Sequence, residues 1–210
     1  MSDAPILPNS ITIPTRTQCA YCAGYCEENV YLLVAGVRDR CGCSTLSGLV
    51  VVFISNPGKS VPIWKQRVGQ QECDGLAVWD YHVILIDKTL RHEVMVFDLD
   101  TTLSFPCSFD NYVRCALRDD HIVSPQHKRL FHLIPAEFYY HNFASDRSGM
   151  RRPDGSWISP PPSWKPIQRN NNVNCMPQLT TLNAVGETQF GKVVDWNGFL
   201  LHFSGSAPDQ

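Results

Sequence analysis

The sequence has no apolar stretch of the roughly 18 to 20 residues that a membrane-spanning helix needs, so no membrane partner is expected. It also lacks a long basic run, and its formal net charge is −2. That balance argues against nucleic acid as a partner, because phosphate binding needs a basic face. The opening "MSDAPILPNSITIPTRTQ" has no basic segment followed by an apolar core, so it does not read as a secretory signal. No internal repeat is visible. An even cysteine count, the mark of a disulfide framework, is missing too: there are nine. These features point to reduced thiols and to a cytoplasmic or nuclear location. Most thiols in such a setting are small buried hydrophobes.

Hydrophobic residues make up 43% of the 210 residues, enough for one compact core. Residues 1–17 read as a flexible Pro/Ser/Thr-rich arm, and 18–210 as a single domain. The segment "CEENVYLLVAGVRDR" starts at Cys26. Val30, Leu33, Val34 and Val37 follow i, i+3, i+4, i+7 spacing, which gives one apolar helix face. Glu27 and Glu28 fall in the first turn, where they suit the positive end of the helix dipole. Arg38 and Arg40 fall at the other end, and Gly42 can terminate the helix.

Strands are expected at "GLVVVFISN" (48–56), "LAVWDYHVILID" (76–87) and "EVMVFDLDT" (93–101). The last two read as an antiparallel hairpin. "SVPIWKQ" (60–66) follows a Pro-Gly turn and is expected to pair with 48–56. "FDNYVRCALRDD" suggests a helix, and "LFHLIPAEFYY" a partly buried segment broken by Pro135. Residues 145–172 are rich in Pro, Ser, Asn and Arg and read as a long surface loop. The tail "GKVVDWNGFLLHF" is apolar enough to dock on the body. The expected class is α+β, an antiparallel sheet packed against helices.

A hairpin turn centred at Leu90 sets His82 opposite Asp98 and Asp80 opposite Asp100, on one face of the sheet. Opposed residues have Cβ atoms about 5 Å apart, close enough for a carboxylate to bond an imidazole. A thiol at a helix N-terminus gains from the dipole, which favours thiolate. Cys26, His82 and Asp98 together form a Cys-His-Asp arrangement suited to nucleophilic catalysis. The pattern alone equally admits Cys26 packing beneath its helix and His82 as a satisfied strand histidine. Cys19-x2-Cys22-x3-Cys26, with Cys41-x-Cys43, also offers raw material for a zinc site, although neither spacing is a regular one. Cys19 and Cys22 read as packing thiols.

The blocks "YCEENVYLL", "VVFISN", "VPIWKQ", "VWDYHVILI", "VFDLDT", "FPCSFDNYV", "NFASDRS" and "PPPSW" run in order through residues 19–166. Together they resemble the protein N-terminal glutamine amidohydrolase family, with a weaker likeness in the tail. The resemblance implies a papain-like or transglutaminase-like fold with the catalytic cysteine at a helix N-terminus. It implies Cys26, His82 and Asp98 as catalytic residues, the three that the hairpin argument selects. The implied reaction converts an N-terminal glutamine to glutamate plus ammonia through a thioester and feeds N-terminal degradation signalling. Protein or peptide substrates with N-terminal Gln are the implied partners, and no metal or organic cofactor is needed. A monomer is expected. The Cys26 backbone N–H is a natural oxyanion donor. The substrate's α-ammonium needs a carboxylate, for which Asp80 and Asp146 are candidates, and Trp64 or Trp79 can wall the pocket. Each has a plainer reading: solvated or turn-capping carboxylates, and core tryptophans. Other acyl-transfer chemistry on the same scaffold, or a zinc-stabilised interaction module, are the alternatives.

Overall fold

The computed structural model describes residues 14–89, 93–169 and 171–204. Nearly all of the proposed arm, and Leu90 at the centre of the expected hairpin turn, lie outside the described residues. The fold is α+β. The described residues form nine strands: β1 (Leu49–Ser55), β2 (Val61–Ile63), β3 (Ala77–Trp79), β4 (His82–Asp87), β5 (Met95–Phe97), β6 (Cys107–Ser108), β7 (Leu130–Pro135), β8 (Gly186–Glu187) and β9 (Lys192–Val194). Seven form an antiparallel sheet in the order β6-β5-β4-β1-β7-β9-β8, and β2 and β3 form a separate ribbon. The α-helices are α1 (Cys26–Cys41), α2 (Phe109–Tyr112), α3 (Ala136–Asn142), α4 (Met176–Thr180) and α5 (Trp196–Phe203).

β1 and β4 are central, so both of their faces are covered. That is why they read as unbroken β-branched runs with no polar alternation. Val51, Phe53, Val83 and Leu85 face one way, onto Val30, Leu33, Val34 and Val37 of α1 and Tyr139 of α3. Val52, Ile54, Ile84 and Ile86 face the other way, toward Phe109, Phe131, Phe199 and Phe203. The period-two alternation of a strand therefore divides the core into two halves. The tail joins the second half: Phe199 of α5 stacks on Phe131 with ring centroids 4.0 Å apart. Asp195 caps that helix by accepting from the Gly198 N–H at 2.9 Å. At the end of α1, Gly42 takes φ +90°, a left-handed conformation that suits glycine and stops the helix where expected.

Four expectations need correction. β2 does not pair with β1, because β4 and β7 occupy both edges of that strand; β2 pairs with β3. The run 76–87 is not one strand. It breaks at Asp80 and Tyr81, where the Asp80 carboxylate accepts from the Tyr81 N–H at 2.9 Å. The β4–β5 register is displaced by two residues from the expected one: Leu85 faces Phe97 and Ile86 faces Val96. A displacement of two keeps every side chain on its face, whereas a displacement of one would have reversed them all. The helix expected after Cys107 is also shorter, since α2 passes at Val113 into a wider π turn that ends at Leu117.

Candidate functional site

The site lies where the start of α1 meets the start of β4. The approach to α1 is fixed by polar contacts. Asn29 accepts from the Cys22 N–H at 2.8 Å and donates to the Cys22 carbonyl at 2.9 Å. Gly24 turns the chain with φ +81°, and the Tyr25 hydroxyl donates to the Ser159 carbonyl at 3.1 Å. Cys26 is then the first helical residue, only 7% exposed. Its sulfur lies by the backbone N–H of Val83, the residue after His82, and donates to Glu27 Oε2 at 3.7 Å.

His82 opens β4 and is fully buried. Its Nε2 lies 2.9 Å from Asp98 Oδ1. The register displacement makes this a diagonal contact between strand ends, and the two residues still share a face. Asp98 accepts three further bonds: from Asp100 N–H at 2.8 Å, Gln66 Nε2 at 3.1 Å and the Tyr112 hydroxyl at 2.8 Å. Burial pushes this carboxyl up, but His82 and these donors outweigh it and hold it at about 2. For His82, burial opposes protonation, and the Asp98 carboxylate reverses that and raises its pKa. An anionic Asp98 can only accept, so His82 Nε2 carries the hydrogen. The other ring nitrogen, Nδ1, is buried and has no hydrogen-bond partner among the described residues. The Trp79 ring stacks on the imidazole at 5.1 Å and 21°.

The thiol differs from expectation. Burial first, then the charge on Glu27, push Cys26 well above the ordinary thiol range. A helix end supplies about half a charge, and it does not offset a desolvated sulfur beside a full carboxylate. Both effects favour the protonated thiol. The nine cysteines are all free, and the Cys19, Cys22 and Cys26 sulfurs do not converge on a common point. Cys19 donates to the Thr15 carbonyl and Cys22 to the Pro160 carbonyl. Among the described residues, the one convergent group of metal-capable side chains is His82, Asp98 and Asp100. Hydrogen bonds already engage it, including one from the Tyr21 hydroxyl to Asp100 Oδ1 at 2.6 Å.

A cavity of about 270 Å³ adjoins this centre, lined among others by Glu27, Asp80, Tyr81, Asp146, Met150 and Asn174. It brings together both proposed ammonium-binding carboxylates. Asp80 is exposed and sits before β4, so it is not set opposite Asp100 by strand pairing. Asp146 is exposed, and its Oδ1 accepts from the Ser148 N–H at 2.9 Å and Asn174 Nδ2 at 2.8 Å. Neither tryptophan lines this cavity. Trp64 lies under the Arg118 guanidinium, 4.4 Å from its ring centroid, and Trp79 borders a different depression.

Several residues have no signal in the sequence. Gln66 and Tyr112 brace Asp98 from distant segments. Glu28 forms a buried two-point pair with Arg147, both contacts 2.8 Å, and accepts from the Trp164 indole N–H at 2.6 Å. Glu27 and Glu28 thus do more than balance a helix dipole. Glu28 clamps the first turn of α1 to the 145–164 segment. Arg147→Met leaves the Glu28 charge buried without its cation. It is expected to lower unfolding free energy by about 3–5 kcal/mol, read from urea denaturation at neutral pH.

A family model described as N-terminal glutamine amidase matches residues 21–203. The Drosophila melanogaster protein N-terminal glutamine amidohydrolase is 46% identical over 171 residues, covering 81% of this chain and 82% of that protein. Its Drosophila grimshawi counterpart is 43% identical over 194 residues, covering 92% and 93%. Similarity of this extent over nearly the whole chain shows that it belongs to the N-terminal glutamine amidase family.

Proposed function

We propose that the protein hydrolyses the side-chain amide of an N-terminal glutamine, giving N-terminal glutamate and ammonia, as the names of its relatives indicate for them. Cys26 is the nucleophile, His82 the general base and acid, and Asp98 the residue that fixes the imidazole. The observation that carries this reading is the His82–Asp98 bond at 2.9 Å, which leaves Nδ1 buried and unpartnered among the described residues, while the Cys26 sulfur lies by the N–H of the adjacent Val83.

The chemistry follows from these placements. His82 Nδ1 takes the thiol proton as Cys26 Sγ attacks the amide carbon. The developing oxyanion is met by the free N–H groups at the start of α1. Collapse breaks the C–N bond, and the proton on Nδ1 goes to the departing ammonia. A thioester remains. Water then gives a proton to the same nitrogen and attacks the thioester, and the sulfur leaves with the proton restored. Asp98 stays anionic throughout and supports the imidazolium at each transfer. These roles, distributed over a helix N-terminus and two strand ends, are those of a papain-like or transglutaminase-like enzyme.

The test is a panel of short peptides incubated with the purified protein, with released ammonia measured. Peptides that begin with Gln are expected to release ammonia, while Asn-first and internal-Gln peptides stay intact. Equal attack on internal Gln would remove the N-terminal specificity from this reading.

A further inference from the structure

Glu27 stands out among the groups near the reaction centre. It follows the nucleophile in sequence, is 2% exposed, and lines the cavity beside Cys26. Its Oε2 accepts from both the Tyr81 hydroxyl, at 3.0 Å, and the Cys26 thiol. Tyr81 precedes His82, so one carboxylate bridges the two segments that carry the nucleophile and its base. Among the described residues, the cations that border the cavity are Arg147, which is committed to Glu28, and Lys59, which is exposed. Burial raises this carboxyl to about 7. A carboxyl group kept in so poor a setting for charge is explained if a cation arrives with the substrate.

Resting on the glutamine reading above, we propose that Glu27 receives the substrate's α-ammonium, and that its arrival frees the Cys26 thiol to react with His82. The dimensions agree. The α-nitrogen and side-chain amide carbon of glutamine are four bonds apart, about 5 Å when extended. The acceptor oxygen and the sulfur are 3.7 Å apart. One bound residue therefore reaches both, with its ammonium on Oε2 and its amide carbon at Sγ. The charge logic runs the same way. After burial, the charge on Glu27 contributes most to holding the thiol protonated, and an ammonium on Glu27 cancels that effect only when a free N-terminus is present. Selection and activation are then one event, and internal glutamines fail because they bring no cation. Asp80 and Asp146, exposed and already bonded within their own loops, add negative potential at the cavity mouth.

The test compares kcat/KM for a Gln-first peptide and for its desamino counterpart, in wild type, Glu27→Gln, Asp80→Asn and Asp146→Asn. In wild type the free-amine peptide is expected to be strongly preferred. Glu27→Gln, which retains an acceptor for Tyr81, is expected to shrink that preference about 10- to 100-fold, chiefly through KM. The two aspartate variants are expected to shrink it less. A second readout needs no substrate: pH-dependent iodoacetamide labelling of Cys26 should shift to lower pH in Glu27→Gln. Should that variant not fold, Glu27→Asp keeps the charge but withdraws it by one carbon, and the same preference is expected to fall. An undiminished preference in the Glu27 variants, or its collapse in Asp80→Asn or Asp146→Asn instead, overturns the assignment and leaves the glutamine reading standing. If wild type does not deamidate the Gln-first peptide, the reading itself fails and the assignment falls with it.

Discussion

Cys26→Ala is expected to lower turnover of a Gln-first peptide by at least about 10⁴-fold while leaving the fold intact. The loss is large because in the proposed mechanism the sulfur makes the covalent bond, and no neighbouring group replaces it. Cys22 is bonded toward Pro160, and Cys175 donates to the Ala144 carbonyl. The structural cost is small. Cys26 is the first residue of its helix, and its side chain gives up one thiol contact to Glu27. Alanine is a good helix former, so stability is expected to change by less than about 1 kcal/mol. Cys26→Ser is the sharper variant. It preserves shape, but its hydroxyl is a far weaker acid than a thiol, and His82 must then remove a more tightly held proton. A serine variant that keeps most of the activity would be inconsistent with thiolate attack.

Asp98→Asn is expected to cost about 10³- to 10⁴-fold in kcat, together with a pH-dependent part of stability. The local pattern can absorb the change. Gln66 Oε1 is buried without a partner in the wild-type site, so an asparagine amide that points toward Gln66 and Tyr112 finds acceptors when that glutamine rotates. His82 then still donates to an oxygen. What is lost is the full negative charge that stabilises the imidazolium. The stability effect has a definite sign. Asp98 is held below its unfolded-state value, at about 2, so its contribution is complete above pH about 4 and disappears as pH falls through about 2. Denaturant titrations are expected to show wild type more stable than Asp98→Asn by about 2–3 kcal/mol at pH 6, with the gap closing at pH 2. The His82 side of the pair runs in the opposite direction, because its raised pKa gives a contribution that is lost as rising pH removes the proton. A gap that stays constant from pH 6 to pH 2 would mean the carboxylate is not held by its partners as the geometry implies.

Much of this site is readable from local pattern. The α1 face, its stop at Gly42 and the position of Cys26 at its start all follow from spacing within sixteen residues. The central strands are legible because burial on both faces demands apolar, β-branched residues. What escapes is set by competition between segments. β2 has a plausible partner in β1 by proximity, but β1 has no free edge once β4 and β7 are placed. The β4–β5 register depends on connection length, which composition does not fix, yet the His82–Asp98 contact survives because the error is an even number of residues. Glu28 and Arg147 lie 119 positions apart, and neither marks its partner in the sequence. Glu27 looks like an ordinary first-turn glutamate. Only the packing of Tyr81 against it, and the cavity beside it, make its buried carboxylate a feature to be explained.

The most direct test of the central claim is the mass of a Gln-first peptide after incubation with wild-type protein and with Cys26→Ala. Conversion of the N-terminal Gln to Glu by wild type, with no conversion above background by the variant, is the expected result. An unchanged peptide mass with wild type, or equal conversion by both proteins, would contradict it.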